Sequence, residues 1–102
     1  MNKILIVAPN TIASKKLAKS ILDSAAKYKI DIDVTVLPES LAVREKENYD
    51  IILIYPKLRF LIDERNSFIN KGKDIAFVVD SIHFGNADGS AVLEQIANSL
   101  KT

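Results

Sequence analysis

The chain has 102 residues, 48% hydrophobic and 26% charged, which is enough apolar material for the core of one globular domain spanning residues 1–102. A formal net charge of +1 gives no electrostatic ground for nucleic-acid binding, and zero cysteines exclude disulfides, thiolate metal sites and a cysteine nucleophile. His83 is the one histidine, so a histidine-rich metal cluster is excluded, and no metal or other cofactor is expected.

The first residues, Met1, Asn2 and Lys3, lead directly into a short apolar run instead of the longer apolar region of a signal peptide. No stretch approaches the ~20 apolar residues of a membrane helix. The expectation is a cytoplasmic protein without direct membrane insertion. Ile4, Leu5, Ile6 and Val7 form a continuous apolar run, the pattern of a central parallel strand covered on both faces. A short polar loop follows, and Asn10 or Thr11 is placed to cap a helix that starts near Ile12. In α/β folds the crevice beyond such a strand end is the default ligand site, and a loop feeding a helix there offers N–H donors to an anion. Function is therefore expected around residues 8–14.

From Ile12 to Tyr28 the residues Leu17, Ala18, Ile21, Leu22 and Ala25 recur at helical spacing and predict one buried stripe. Lys15, Lys16, Lys19 and Lys27 occupy much of the other face. The simplest reading is a solvated face; the sharper one is a positive rim beside the 8–14 loop that attracts an acidic partner or a phosphate. Residues 30–36 alternate apolar and polar, as an edge strand does. Pro38 to Leu41 reads as a short helical start, since proline suits a first turn. The charged run from Arg44 to Asn48 reads as a solvated loop or helix end. Residues 51–54 are a second buried strand, ending at Tyr55 and Pro56. Leu58, Leu61, Ile62 and Arg65 predict a helix through about Ile69, with Gly72 as its stop. Residues 75–79 form a third run, expected to be buried on both faces, and residues 80–85 are expected to be a loop. A last helix is predicted over about 88–100, with Val92, Leu93, Ile96 and Leu100 on one face.

Strand alternates with helix throughout, which predicts an α/β fold with a parallel sheet. The expectation is a single four-stranded parallel sheet, order 2-1-3-4, with helices on both faces and with residues 32–36 at an edge.

Several loop chemistries fail on inspection. A response regulator needs an acidic cluster after the first strand and an aspartate after the third, where this chain has Ala8, Pro9, Tyr55 and Pro56. A dinucleotide site wants a glycine-rich first loop, and no glycine precedes Gly72. A low-molecular-weight tyrosine phosphatase loop would need a cysteine and a following arginine. Thr11 and Ser14 faintly echo the hydroxyls of a flavodoxin-like phosphate loop, but Pro9 removes one N–H donor.

The second half of the chain is more informative. Tyr55 and Pro56 after the third strand, then Asp80, Ser81, Phe84, Gly85, Asp88 and Gly89 after the fourth, resemble the IIB component of the lactose/cellobiose class of bacterial sugar phosphotransferase systems. Pro38 to Leu41 is similar to the family's segment after its second strand. The resemblance spans essentially the whole chain, in length and in the order of elements. It implies a phosphoryl carrier whose partners are a IIA and a membrane IIC component. In that family a cysteine at the end of the first strand takes phosphate from a phosphohistidine on IIA and passes it to a sugar held by IIC. A thiolate suits both steps, while loop N–H groups neutralise the phosphate oxygens.

In this chain the resemblance places Ala8 at the cysteine position, and a methyl group cannot attack phosphorus. Thr11 stands roughly where the family has a loop glycine. A single engineered Cys→Ala exchange would leave the rest of the loop family-like, so Pro9 and the missing glycine point to divergence of the whole loop. No catalytic residue is therefore assigned. Asn10, Thr11 and Ser14 remain anion-loop candidates. Lys15, Pro56, Lys57, Asp80 and Ser81 are candidates for a partner-facing rim, with location peripheral to the membrane IIC component. The simpler readings are that Asp80 and Ser81 order a loop or cap a helical turn, that Lys57 is a surface lysine, that His83 is structural or solvated, and that Tyr55 packs. Two functional readings follow: a IIB-type phosphocarrier component whose acceptor is replaced, or a non-catalytic regulatory protein that docks through the IIB surface.

Overall fold

The computed structural model describes residues 2–45, 48–58 and 75–100. The chain runs β1 (Asn2–Val7), α1 (Ile12–Lys27), β2 (Ile32–Leu37), α2 (Glu39–Glu45), β3 (Ile51–Ile54), β4 (Ile75–Val78), α3 (Ser81–Gly85) and α4 (Gly89–Leu100). The helix expected past Leu58 and its stop at Gly72 lie outside the described residues.

The strands form one sheet in the order β2-β1-β3-β4, and every pairing is parallel. The register sets Ile4 beside Val34 on one side and Ile51 on the other, and Leu53 beside Phe77. Because side chains alternate along a strand, the apolar runs divide between two cores. Ile4, Ile6, Ala8, Ile51 and Leu53 meet Leu17 and Ile21 of α1, Phe84 of α3, and Val92 and Ile96 of α4. Leu5, Val7, Ile52 and Ile54 face the other way, against Ala42 of α2. A run that is apolar at every position thus corresponds to a strand with helices on both faces, as the order and composition predict.

Helix α1 buries Leu17, Ile21 and Ala25 at spacings of four. Its end is a Schellman closure: the Ile30 N–H donates to the Ala25 carbonyl at 2.8 Å and the Lys29 N–H to the Ala26 carbonyl at 3.1 Å. Lys29 takes the left-handed position usual for glycine, with φ 58°. This closure takes Ile30 out of the following strand, which starts at Ile32 and leaves Ile30 45% exposed.

Two expectations are corrected. Residues 81–85 are not loop but the short helix α3, because Asp80 caps it through a bond from the Ile82 N–H to its Oδ1 at 2.9 Å. The last run packs on both faces, Phe77 against one core and Ala76 and Val78 against the other, but these three are only half-buried, and full burial is reached at Val79. Helix α4 begins at Gly89, where α4 crosses α1 closely. The Gly89 N–H donates to Ser20 Oγ at 2.8 Å, and a Cβ at Gly89 would run into the backbone of Ser20 and Ile21.

Candidate functional site

The parallel strands all end on one rim, and the ladder fixes how those ends sit. The Ala8 N–H donates to the Leu37 carbonyl at 3.1 Å, the Tyr55 N–H to Val7 at 3.0 Å, and the Val79 N–H to Ile54 at 2.9 Å. Ala8, Tyr55 and Val79 are therefore the first residues past β1, β3 and β4 on three adjacent strands. The Tyr55 ring lies 4.8 Å from the Phe84 ring at a tilted 60°, which ties the end of β3 to α3. Tyr55 is thus a packing residue.

Ala8 is 0% exposed and its methyl belongs to the core facing α1. It sits at the expected strand end but points into packed side chains. Beyond it, Pro9, Asn10 and Thr11 are exposed. The Thr11 N–H closes a turn onto the Pro9 carbonyl at 2.8 Å. Of the two residues placed to cap α1, Thr11 does so: the Ser14 N–H donates to its Oγ1 at 3.2 Å. Ser14 is fully buried, and its hydroxyl shares a 3.1 Å hydrogen bond with Thr11 Oγ1. Lys15 is exposed in the first turn, its N–H bonded to the Thr11 carbonyl at 3.1 Å. The hydroxyls of Thr11 and Ser14 are thereby engaged with each other and with the start of α1, and only Asn10 of the three loop candidates has no such duty among the described bonds.

On the other strand ends, Pro56 is half-buried and Lys57 exposed, in a tight turn closed by the Leu58 N–H on the Tyr55 carbonyl at 2.8 Å. Asp80 and Ser81 are exposed at the start of α3, with Asp80 acting as its cap. His83 is half-buried in the same helix. A groove of ≈ 450 Å³ opens beside β4, lined by Val78, Val79, Asp80, Ser81 and Gln95, on the far side of the sheet order from Ala8. Among the described residues no three His, Cys, Asp or Glu side chains are grouped to hold a metal ion.

Two residues that composition and motif do not single out stand on the same rim. Ile12, the first residue of α1, is 75% exposed, and Ile82, in α3, is 67% exposed. The signal for Ile12 was present in the spacing, since it falls opposite the stripe of Leu17, Ile21 and Ala25 on a helix of 3.6 residues per turn. Nothing comparable marked Ile82 while residues 80–85 read as loop.

Residues 3–95 match the family model described as the PTS system, lactose/cellobiose specific IIB subunit, and the chain belongs to that family. Two solved structures share the architecture. One is the cellobiose-specific phosphotransferase IIB component protein from Borrelia burgdorferi, 22% identical, with a TM-score of 0.74 over 96% of this chain and 90% of that one. The other is the lactose-specific IIB component domain of the phosphoenolpyruvate:carbohydrate phosphotransferase system from Streptococcus pneumoniae, 18% identical, with a TM-score of 0.73 over 94% of this chain and 95% of that one. At these identities the likeness is one of fold. Among the described residues no helix is long and apolar enough to cross a membrane.

Proposed function

We propose that this chain works as one IIB-type domain of a lactose/cellobiose-class sugar phosphotransferase system, in the cytoplasm, docking a IIA component and a membrane IIC component without carrying phosphate at the end of β1. Transfer from a phosphohistidine breaks an N–P bond and forms a new bond from phosphorus to an attacking lone pair. Ala8 has none. The observation that carries this reading is the placement of that residue: its methyl is 0% exposed and packed in the core, where the family resemblance sets the acceptor. The surrounding loop supports it, because the Ala8 and Thr11 N–H groups donate to backbone carbonyls and Pro9 has no N–H to offer. Of the two functional readings, docking without transfer is the one these contacts favour.

The test is incubation with phosphorylated IIA of this class, read by intact mass and by a binding isotherm in parallel. Binding with unchanged mass is the expected result. A phosphorylated peptide containing Ser14 or His83 would show a substitute acceptor and return the chain to the carrier reading.

A further inference from the structure

We infer that the outer edge of β2 is a self-association surface, on which a second copy of this chain lays its own β2 antiparallel, with the two-fold axis at Val34. The inference stands apart from the IIB-type reading and concerns a sheet edge instead of the strand-end rim.

Backbone direction fixes what this edge offers. The Ala8 N–H donates to the Leu37 carbonyl, so Leu37 turns its backbone groups toward β1. In a strand these groups swing to opposite sides at successive residues. Thr35 and Asp33 therefore face β1 as well, and the N–H and C=O groups of Ile32, Val34 and Val36 face outward. The sheet order puts no strand beyond β2, and no bond to these outward groups is found among the described residues. Edge strands are usually blunted by lysine, proline, a bulge or a covering side chain. At the opposite edge Gln95 of α4 supplies such cover, its Nε2 donating to the Val78 carbonyl at 3.4 Å. Strand β2 has no such guard. Its six residues run in unbroken register with β1, without lysine or proline, and its one charge is Asp33.

The outward groups call for an extended strand, and the side chains of β2 fit a copy of itself. Antiparallel pairing must match outward-facing residues with one another. A two-fold axis at Asp33 would set two like carboxylates directly opposite, which is destabilising. An axis at Thr35 would put Ile32 opposite Pro38, which has no N–H to give. With the axis at Val34, Ile32 pairs with Val36 of the second copy, and every outward N–H meets a carbonyl. Asp33 then lies opposite a Thr35 hydroxyl that can donate to it. The ends of β2 suit the same arrangement. Tyr28 and Ile30 before it, and Leu41 and Val43 after it, are exposed, and none joins either core. Antiparallel pairing brings the start of one β2 beside the end of the other, so the first apolar pair of each copy approaches the second pair of its mate. The two carboxyl rims then point to opposite ends of one continuous sheet.

The test is sedimentation equilibrium of the whole chain over a concentration series, together with variants in β2. The wild type is expected to dimerise reversibly. Val34→Pro removes an outward N–H, a change that edge strands tolerate. It should weaken the dimer about tenfold or more, with an unchanged circular dichroism spectrum. The chain has no cysteine, so an introduced one reports on register. Residues of a hydrogen-bonded antiparallel pair lie about 5.5 Å apart at Cα, within disulfide reach. Val34→Cys is therefore expected to form a covalent dimer under mild oxidation, much faster than Asp33→Cys or Thr35→Cys. Should Val34→Pro misfold, the cross-linking comparison carries the decision alone. A wild type that is monomeric up to about 1 mM overturns the inference and would leave the edge to a strand of another protein. A dimer that Val34→Pro leaves intact overturns it too, as does faster cross-linking through Asp33→Cys or Thr35→Cys. None of these outcomes touches the IIB-type reading.

Discussion

The junctions β1–α1 and β4–α3 are built from the same parts in the same order. Each has a strand-end residue at 0% exposure (Ala8 and Val79), then a capping side chain, then an exposed isoleucine. They differ in what lies between and in what the cap does. At the first junction Pro9 and Asn10 intervene, and Thr11 bonds both a backbone N–H and the buried Ser14 hydroxyl. At the second, Asp80 follows Val79 directly and caps from an exposed position. The first junction therefore engages both of its hydroxyls in folding the start of α1. The second keeps the residues through which the chain resembles its family, and each observed duty there is structural: Asp80 caps, Phe84 packs at a tilt against Tyr55, and Gly89 admits α1.

The strongest way to break this comparison is to put chemistry back at the first junction. Ala8→Cys alone is expected to leave transfer from phosphorylated IIA poor. The thiol would be enclosed by the core and biased toward its unreactive protonated form, and the loop would still lack donors aimed at a phosphate. Replacing residues 8–14 by a family-like loop with cysteine, hydroxyls and glycine should exceed the single change by about 100- to 1,000-fold, the usual effect of one oxyanion donor. Equal rates for the two variants would mean the loop's divergence is incidental.

Next in size is Gly89→Ala at the second junction. Its methyl meets helix backbone, which cannot move aside as a side-chain tip can, so the loss should be about 3 kcal/mol or more in urea denaturation. A cost under ~1 kcal/mol would show that the α1–α4 crossing is looser than it looks.

The smallest effects sharpen the comparison itself. Thr11→Ala should cost about 2 kcal/mol, because it deletes a cap and also leaves the buried Ser14 hydroxyl without its partner. Asp80→Ala should cost about 1 kcal/mol, the loss of a cap in solvent. Thermal or urea unfolding of the two variants side by side decides the order. If Asp80→Ala is the costlier, the two junctions do not divide the work as described.

Much of the fold was legible because it is written in local periodicity. Continuous apolar runs at 4–7 and 51–54 mark strands covered on both faces, and the spacing of Leu17, Ile21 and Ala25 marks the inner side of α1. Pattern alone placed Ala8 at the site but could not say that its methyl is sealed in the core. That depends on a core shared with Leu17, Val79 and Phe84, which forms only once the sheet and its helices are assembled.

By itself, then, the sequence determined the alternating architecture, the absence of a thiol nucleophile and the family. Tertiary structure alone decided that Thr11 and not Asn10 caps α1, that residues 81–85 coil, that β4 is half-exposed, and that Ile12 and Ile82 share one end. The reason is one of range. Helix and strand periods are set by neighbours a few residues apart, whereas the Gly89–Ser20 bond joins residues 69 positions apart and exists only when two helices cross. Exposure is likewise a property of the assembled surface, so an isoleucine reads as core in a sequence until the fold leaves nothing beside it.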